Sequence, residues 1–262
     1  MIGWLKKRRR EKVKARPFPP GWARILERNV PYVRCLTEEN REELHGLIQV
    51  FLEEKNFEGA GGLEMTDEIR VTIAAQACVL LLRRQTDVYP KLSSIIVYPS
   101  AYVGTHRRAL PGGAVEEGAQ VRLGESWTSG AVVLSWNDVL RGASDIADGR
   151  NVAFHEFAHQ LDGETGPTDG APRLGRGSMY VAWARVLGRE YERLVARLQR
   201  HQPTFLDPYA ATNPAEFFAV ATEFFFEKPL GLRDRCPELY DQLKEFYRQD
   251  PAAGIVRGER PC

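Results

Sequence analysis

The stretch that most constrains this chain is Asn151-Val-Ala-Phe-His155-Glu156-Phe-Ala-His159-Gln-Leu-Asp162-Gly163. Asn151 is a good helix N-cap and Gly163 a good stop, so the segment reads as a helix. Side chains four apart share a helical face, which sets His155 and His159 one turn apart with their imidazoles pointing the same way. That geometry suits two ligands of one tetrahedral cation. Glu156 is displaced around the helix, where it can reach a water on the metal rather than the metal itself. Phe154, Phe157, Ala158 and Leu161 supply the apolar side that anchors such a helix in a core. This is the H-E-x-x-H pattern, which needs a helix beneath it and a third ligand from elsewhere. The alternative is two core histidines and a surface glutamate in chance register. With only 5 His in the chain and two of them here, the metal reading prevails.

A length of 262 residues suits one large domain or a catalytic body with a small appended unit. A hydrophobic share of 43% with 27% charged residues is that of an ordinary soluble domain, and a net charge of +1 argues against a nucleic-acid binder. Cys35, Cys78, Cys236 and Cys262 are scattered, which fits free thiols in a reducing compartment better than secretion. No apolar run is long enough to cross a bilayer. Lys6-Lys-Arg-Arg-Arg10 follows a very short apolar tip, the reverse of a signal peptide, so a cytoplasmic location is expected. The basic run could touch anionic lipid or nucleic acid, but its composition reads as a solvated, disordered tail over residues 1–20.

The remainder reads as one α+β domain over 21–252, mostly helical, with a small sheet ahead of the H-E-x-x-H helix. Its helical part covers 21–90 and its catalytic part 91–252, with a short tail at 253–262. Thr37 caps one helix and Thr66 another, the latter apolar almost all round from Ile69 to Leu82. Gly59 to Gly62 breaks the run between them. Ser93–Tyr98 and Ala131–Trp136 read as strands, and 109–130 as loops with a weak hairpin. The second strand could offer a sheet edge to an extended substrate, or be purely structural. From Gly163 to Gly177 the chain is turn-rich, reading as a surface loop that could flank a cleft. Ser178 caps a long helix to about Arg200, Asn213-Pro214 opens another that stops at Glu227, and Pro237 to Tyr247 forms the last.

A third ligand is needed. His45, His106 and His201 carry no motif, and Asp162 and Thr165 stand where a longer H-E-x-x-H-x-x-G-x-x-H pattern needs Gly and His. A carboxylate is therefore favoured. Glu216, Glu223 and Glu227 share one stripe of the Asn213 helix, whose other faces are strongly apolar. A buried glutamate is costly unless partnered, and a metal is one partner. For Glu227, near the helix end, a solvated acidic face is the simpler reading. Asp162 either hydrogen-bonds a ligand or caps the following loop.

His155-Glu-Phe-Ala-His159-Gln-Leu-Asp162, with Asp207-Pro-Tyr209-Ala-Ala-Thr-Asn-Pro-Ala-Glu216-Phe-Phe-Ala-Val and Glu223-Phe-Phe-Phe, resembles the Mlc titration factor A family of bacterial zinc peptidases. Gly124-Glu-Ser-Trp127 and Val133-Leu-Ser-Trp136 look like that family too, and the resemblance runs from about Trp22 to Pro251. The family's zinc site is similar to that of the anthrax lethal factor protease domain, a gluzincin arrangement. By motif position the resemblance implies one Zn²⁺ per chain held by His155, His159 and Glu216, with Glu156 as catalytic base and Tyr209 as the transition-state hydroxyl. Without the resemblance, Tyr209 packing its ring under a helix start is an equal reading. Two functions follow as expectations: a peptidase acting on short peptides, as an aminopeptidase for instance, or a binder that sequesters a Mlc-like transcriptional repressor.

Overall fold

Threonine caps open two helices of the first half, as their sequences predict. In α3 (Glu38–Glu54) the Thr37 hydroxyl accepts from Asn40 N, and in α4 (Asp67–Val79) Thr66 accepts from Ile69 N. The computed structural model describes residues 2–109, 115–122, 124–127, 130–164 and 166–253. Ahead of α3 run α1 (Ile2–Lys14) and α2 (Pro20–Asn29). The expected disordered tail is thus a docked helix over Ile2–Lys14. Arg10 holds Glu54 at 2.5 Å and also pairs with Asp87, Arg9 reaches Glu53 at 2.9 Å, and Val13 is buried. Those carboxylates lie far along the chain, so local composition carries no sign of them. Cys35 is likewise disulfide-bonded rather than a free thiol, whereas Cys78 and Cys236 are free.

A four-stranded sheet follows the order β1-β2-β6-β5. β1 (Asn56–Gly59), β2 (Ser94–Tyr98) and β6 (Ala131–Ser135) run parallel, with Asn56 opposite Ser94 and Ser94 opposite Ala131. β1 is too short to show alternation in sequence; its pairing with β2 makes it a strand. The stretch read as loops with a weak hairpin holds β4 (Val115–Arg122), antiparallel to β3 (Tyr102–Ala109), and then β5 (Gly124–Trp127). β5 runs antiparallel to β6 and closes the sheet on that side, so the edge strand is β5 and β6 lies inside. Trp136 leaves the strand to begin α5 (Trp136–Ser144), capped by Ser135.

The second half is helical: α6 (Val152–Asp162), α7 (Met179–Gln199), α8 (Pro214–Glu227), α9 (Pro229–Arg235) and α10 (Pro237–Tyr247). Ser178 precedes α7 but its side chain caps nothing. α6 lies against β5, β6, α4 and α5, with α8 packed beside it. The core is aromatic where these helices meet. Phe225 and Phe226 of α8 contact Tyr247 of α10 at ring-centre distances of 5.6 and 5.0 Å. The chain is α+β, as expected, with the sheet ahead of α6.

Candidate metal centre

α6 is fixed from beneath. Asn151 Oδ1 accepts from Phe154 N at 3.0 Å, closing the first turn. Phe157 sits 5.8 Å from Phe51 and 5.1 Å from Tyr89, and Phe154 sits 5.3 Å from Phe226, so the apolar side is locked into the core. The opposite face carries His155 and His159, their rings 4.9 Å apart. Gly163 follows the helix with φ −72°, so its stop does not use the left-handed conformation glycine permits. Asp162, fully buried, instead accepts from Gly170 N at 2.7 Å. Gly170 has φ +83°, and an added Cβ would lie 2.5 Å from Pro214 O. The turn-rich loop is therefore pinned between the end of α6 and the start of α8. Of the two roles expected for Asp162, loop capping is the one with a hydrogen bond.

α8 brings the third donor. Asn213 Oδ1 accepts from Glu216 N at 3.0 Å, and Pro214 occupies the first turn. This cap holds Glu216 in the first turn with Oε2 2.9 Å from His155 Nε2 and 3.3 Å from His159 Nε2. The two Nε2 atoms are 3.3 Å apart. Two turns on, Glu223 Oε1 contacts His155 Nδ1 at 2.8 Å, while its Oε2 accepts from Asn151 N at 2.6 Å. Glu227 accepts from Asn151 Nδ2 at 3.1 Å and Arg150 N at 3.0 Å. The glutamate stripe is real, but its three members do three different things.

Glu227 departs from its sequence reading. It is 2% exposed rather than solvated, and burial pushes its carboxyl up to about 9, against the pull of the Asn151 amide. Asp162 is pushed up to about 6 by burial, opposed by the Gly170 N–H. Burial would also raise Glu216, but the imidazoles of His155 and His159 hold it well below the usual carboxylate range. Burial disfavours the charged His155 ring, yet Glu216 and Glu223 on its two nitrogens raise its proton affinity well above normal.

Over residues 4–248 the chain matches the glucose-regulated metallo-peptidase M90 family. The chain belongs to that family. It is 43% identical to an uncharacterized protein of Synechocystis sp. over 237 residues, covering 90% of this chain and 86% of the relative. It is 29% identical to proteins called Mlc titration factor A in Yersinia pestis and Yersinia pseudotuberculosis, covering 99% of this chain and 94% of each relative.

Membership of M90 implies a metal, and His155, His159 and Glu216 fit one. Their candidate ligand atoms all lie within 4.8 Å of one another. Donors bonded at about 2.0–2.1 Å around a tetrahedral ion stand roughly 3.3 Å apart. The separations of 2.9, 3.3 and 3.3 Å match that spacing. Two imidazole nitrogens and one carboxylate oxygen are a donor set that zinc accepts.

The other M90 site candidates sort by position. Glu156 is buried in α6, and its charge contributes to the raised proton affinity of His155. Tyr209 lies on a 3-10 turn, Pro208–Ala211, whose start is held by Asp207 accepting from Tyr209 N at 3.0 Å. Tyr209 is 51% exposed, and its ring centre lies 6.0 Å from that of His155. His45 stacks on Phe18 at 3.9 Å, and His201 is exposed with φ +51° just past α7; neither joins the cluster. The side chain of His106 lies outside the described residues. Sequence reasoning missed Glu223 as the partner of His155. The available signal was its helical phase with Glu216, two turns on, which marks a common face but not which residue touches what.

Proposed function

We propose that the protein is a zinc-dependent peptidase of gluzincin type, with His155, His159 and Glu216 holding one zinc per chain. The observation that carries this reading is the convergence of His155 Nε2, His159 Nε2 and a Glu216 oxygen, with Glu156 on the same helix. Zinc bound there supplies a Lewis acid and lowers the pKa of a water from about 16 towards 7. Glu223 holds the proton on His155 Nδ1, which leaves the Nε2 lone pair free to ligate. Glu156 accepts a proton from the attacking water and passes it to the leaving amine. The Tyr209 hydroxyl, on a turn beside His155, donates to the oxyanion as the carbonyl becomes tetrahedral. β5 offers an antiparallel edge beside α6, on which an extended peptide can pair as a further strand. The substrates of this reading are short peptides.

A second reading has one specific support, the name Mlc titration factor A carried by the Yersinia relatives. In it the chain sequesters a Mlc-like repressor without hydrolysis. The test is Glu156→Gln, which keeps side-chain size and all three ligands while removing the base. Metal analysis should find about one zinc per chain in wild type and variant, and its loss in His155→Ala and His159→Ala. Turnover of a peptide library should fall by roughly 10²–10⁴ in Glu156→Gln. Unchanged turnover in the zinc-replete variant would overturn the peptidase assignment.

A further inference from the structure

α1 divides its charges between two faces. Lys6, Arg9 and Arg10 face inward and pair with Asp87, Glu53 and Glu54. At about 100° per residue, Trp4, Arg8 and Lys12 fall along one line on the opposite side, with Leu5 beside it, Lys7 at its margin and the helix's one acid, Glu11, between Lys7 and Trp4. All six are exposed, Trp4 by 61% and Leu5 by 56%. The Arg8 guanidinium stacks 5.5 Å above the Trp4 ring. Among the described residues the ion pairs of α1 use only its inner cations. α1 carries seven cations and one acid in a chain whose net charge is +1, so positive charge is concentrated here and the remainder of the chain is net acidic.

Two adjacent large apolar side chains standing in water beside unpaired cations need a partner that receives both. A convex helix offers no groove for a peptide. Nucleic acid would take the cations but gains nothing from Leu5. A lipid surface takes both, because tryptophan and leucine enter the headgroup layer while lysine and arginine meet anionic headgroups. We propose that the outer face of α1 docks the protein on an anionic bilayer surface, through Trp4 and Leu5 with Lys7, Arg8 and Lys12. The inner ion pairs keep α1 fixed to α3, so docking orients the whole domain rather than tethering it loosely. No described helix is long and apolar enough to cross the membrane, so the contact is with the surface. The proposal is independent of the peptidase reading.

The test is co-sedimentation of the full chain with phosphatidylglycerol vesicles and with phosphatidylcholine vesicles. Binding should require phosphatidylglycerol and weaken with salt. Lys7→Gln/Arg8→Gln/Lys12→Gln should reduce partitioning by roughly a hundredfold, each charge near the surface contributing about fivefold. Trp4→Ala/Leu5→Ala should also weaken binding and remove a blue shift in tryptophan emission. Circular dichroism and melting temperature should match wild type in both variants, because Arg10 and Val13 still hold the helix. Equal binding to both vesicle types, or full binding by either variant, would overturn the proposal. So would absence of vesicle binding with tight, α1-dependent binding to duplex DNA.

Discussion

Replacing Glu223 by glutamine tests whether a residue outside the proposed ligand set controls metal affinity. The Glu223 carboxylate accepts from two donors at once, His155 Nδ1 at 2.8 Å and Asn151 N at 2.6 Å. Glutamine has one acceptor oxygen. The Asn151 amide can only donate, so the glutamine oxygen is expected to stay there and turn its NH₂ toward Nδ1. His155 must then accept at Nδ1 and carry its proton on Nε2. Nε2 is the atom that faces His159 and Glu216, and a protonated nitrogen has no lone pair to give. Loss of such an orienting partner typically weakens metal binding by about 10–100-fold, or roughly 1.4–2.7 kcal/mol. Glu216→Gln removes an anionic donor itself. Sharing about 10–16 kcal/mol of structural zinc binding among four ligands gives roughly 2.5–4 kcal/mol for that one. Competition against a calibrated chelator at fixed pH measures both affinities. The expected order is wild type, then Glu223→Gln, then Glu216→Gln. Wild-type affinity in Glu223→Gln would refute the tautomer argument, and a reversed order would make Glu223 the third ligand.

Tyr209→Phe should lower turnover by roughly 10²–10³ with unchanged zinc content. Its melting temperature should stay near that of wild type, because a half-exposed ring keeps its packing without the hydroxyl. Equal turnover in a peptide assay would remove Tyr209 from the reaction. Glu227 yields a pH prediction. With its carboxyl pushed up to about 9, the folded state keeps a proton that the unfolded chain releases near 4.5. Stability therefore falls as pH rises between those values, and Glu227→Gln should flatten that fall in urea titrations at pH 6 and pH 9. Parallel pH profiles for variant and wild type would show that Glu227 is ionised when folded.

Where the physics is local, the residues alone determined the outcome. Thr37, Thr66, Asn151 and Asn213 each cap the helix they precede, because a side-chain oxygen three residues ahead of an unsatisfied N–H needs nothing else. The spacing of His155 and His159 made them neighbours for the same reason. What came from far along the chain was not legible. Asn56–Gly59 became a strand through pairing with Ser94–Val97, and Ile2–Lys14 became a docked helix because Glu53, Glu54 and Asp87 lie opposite its cations. Helical phase put Glu216, Glu223 and Glu227 on one stripe but could not assign them. Only the packing of α8 against α6 set Glu216 against two imidazoles, Glu223 behind one of them and Glu227 under Asn151, since a contact across 61 to 77 residues depends on how two helices cross and not on either helix alone.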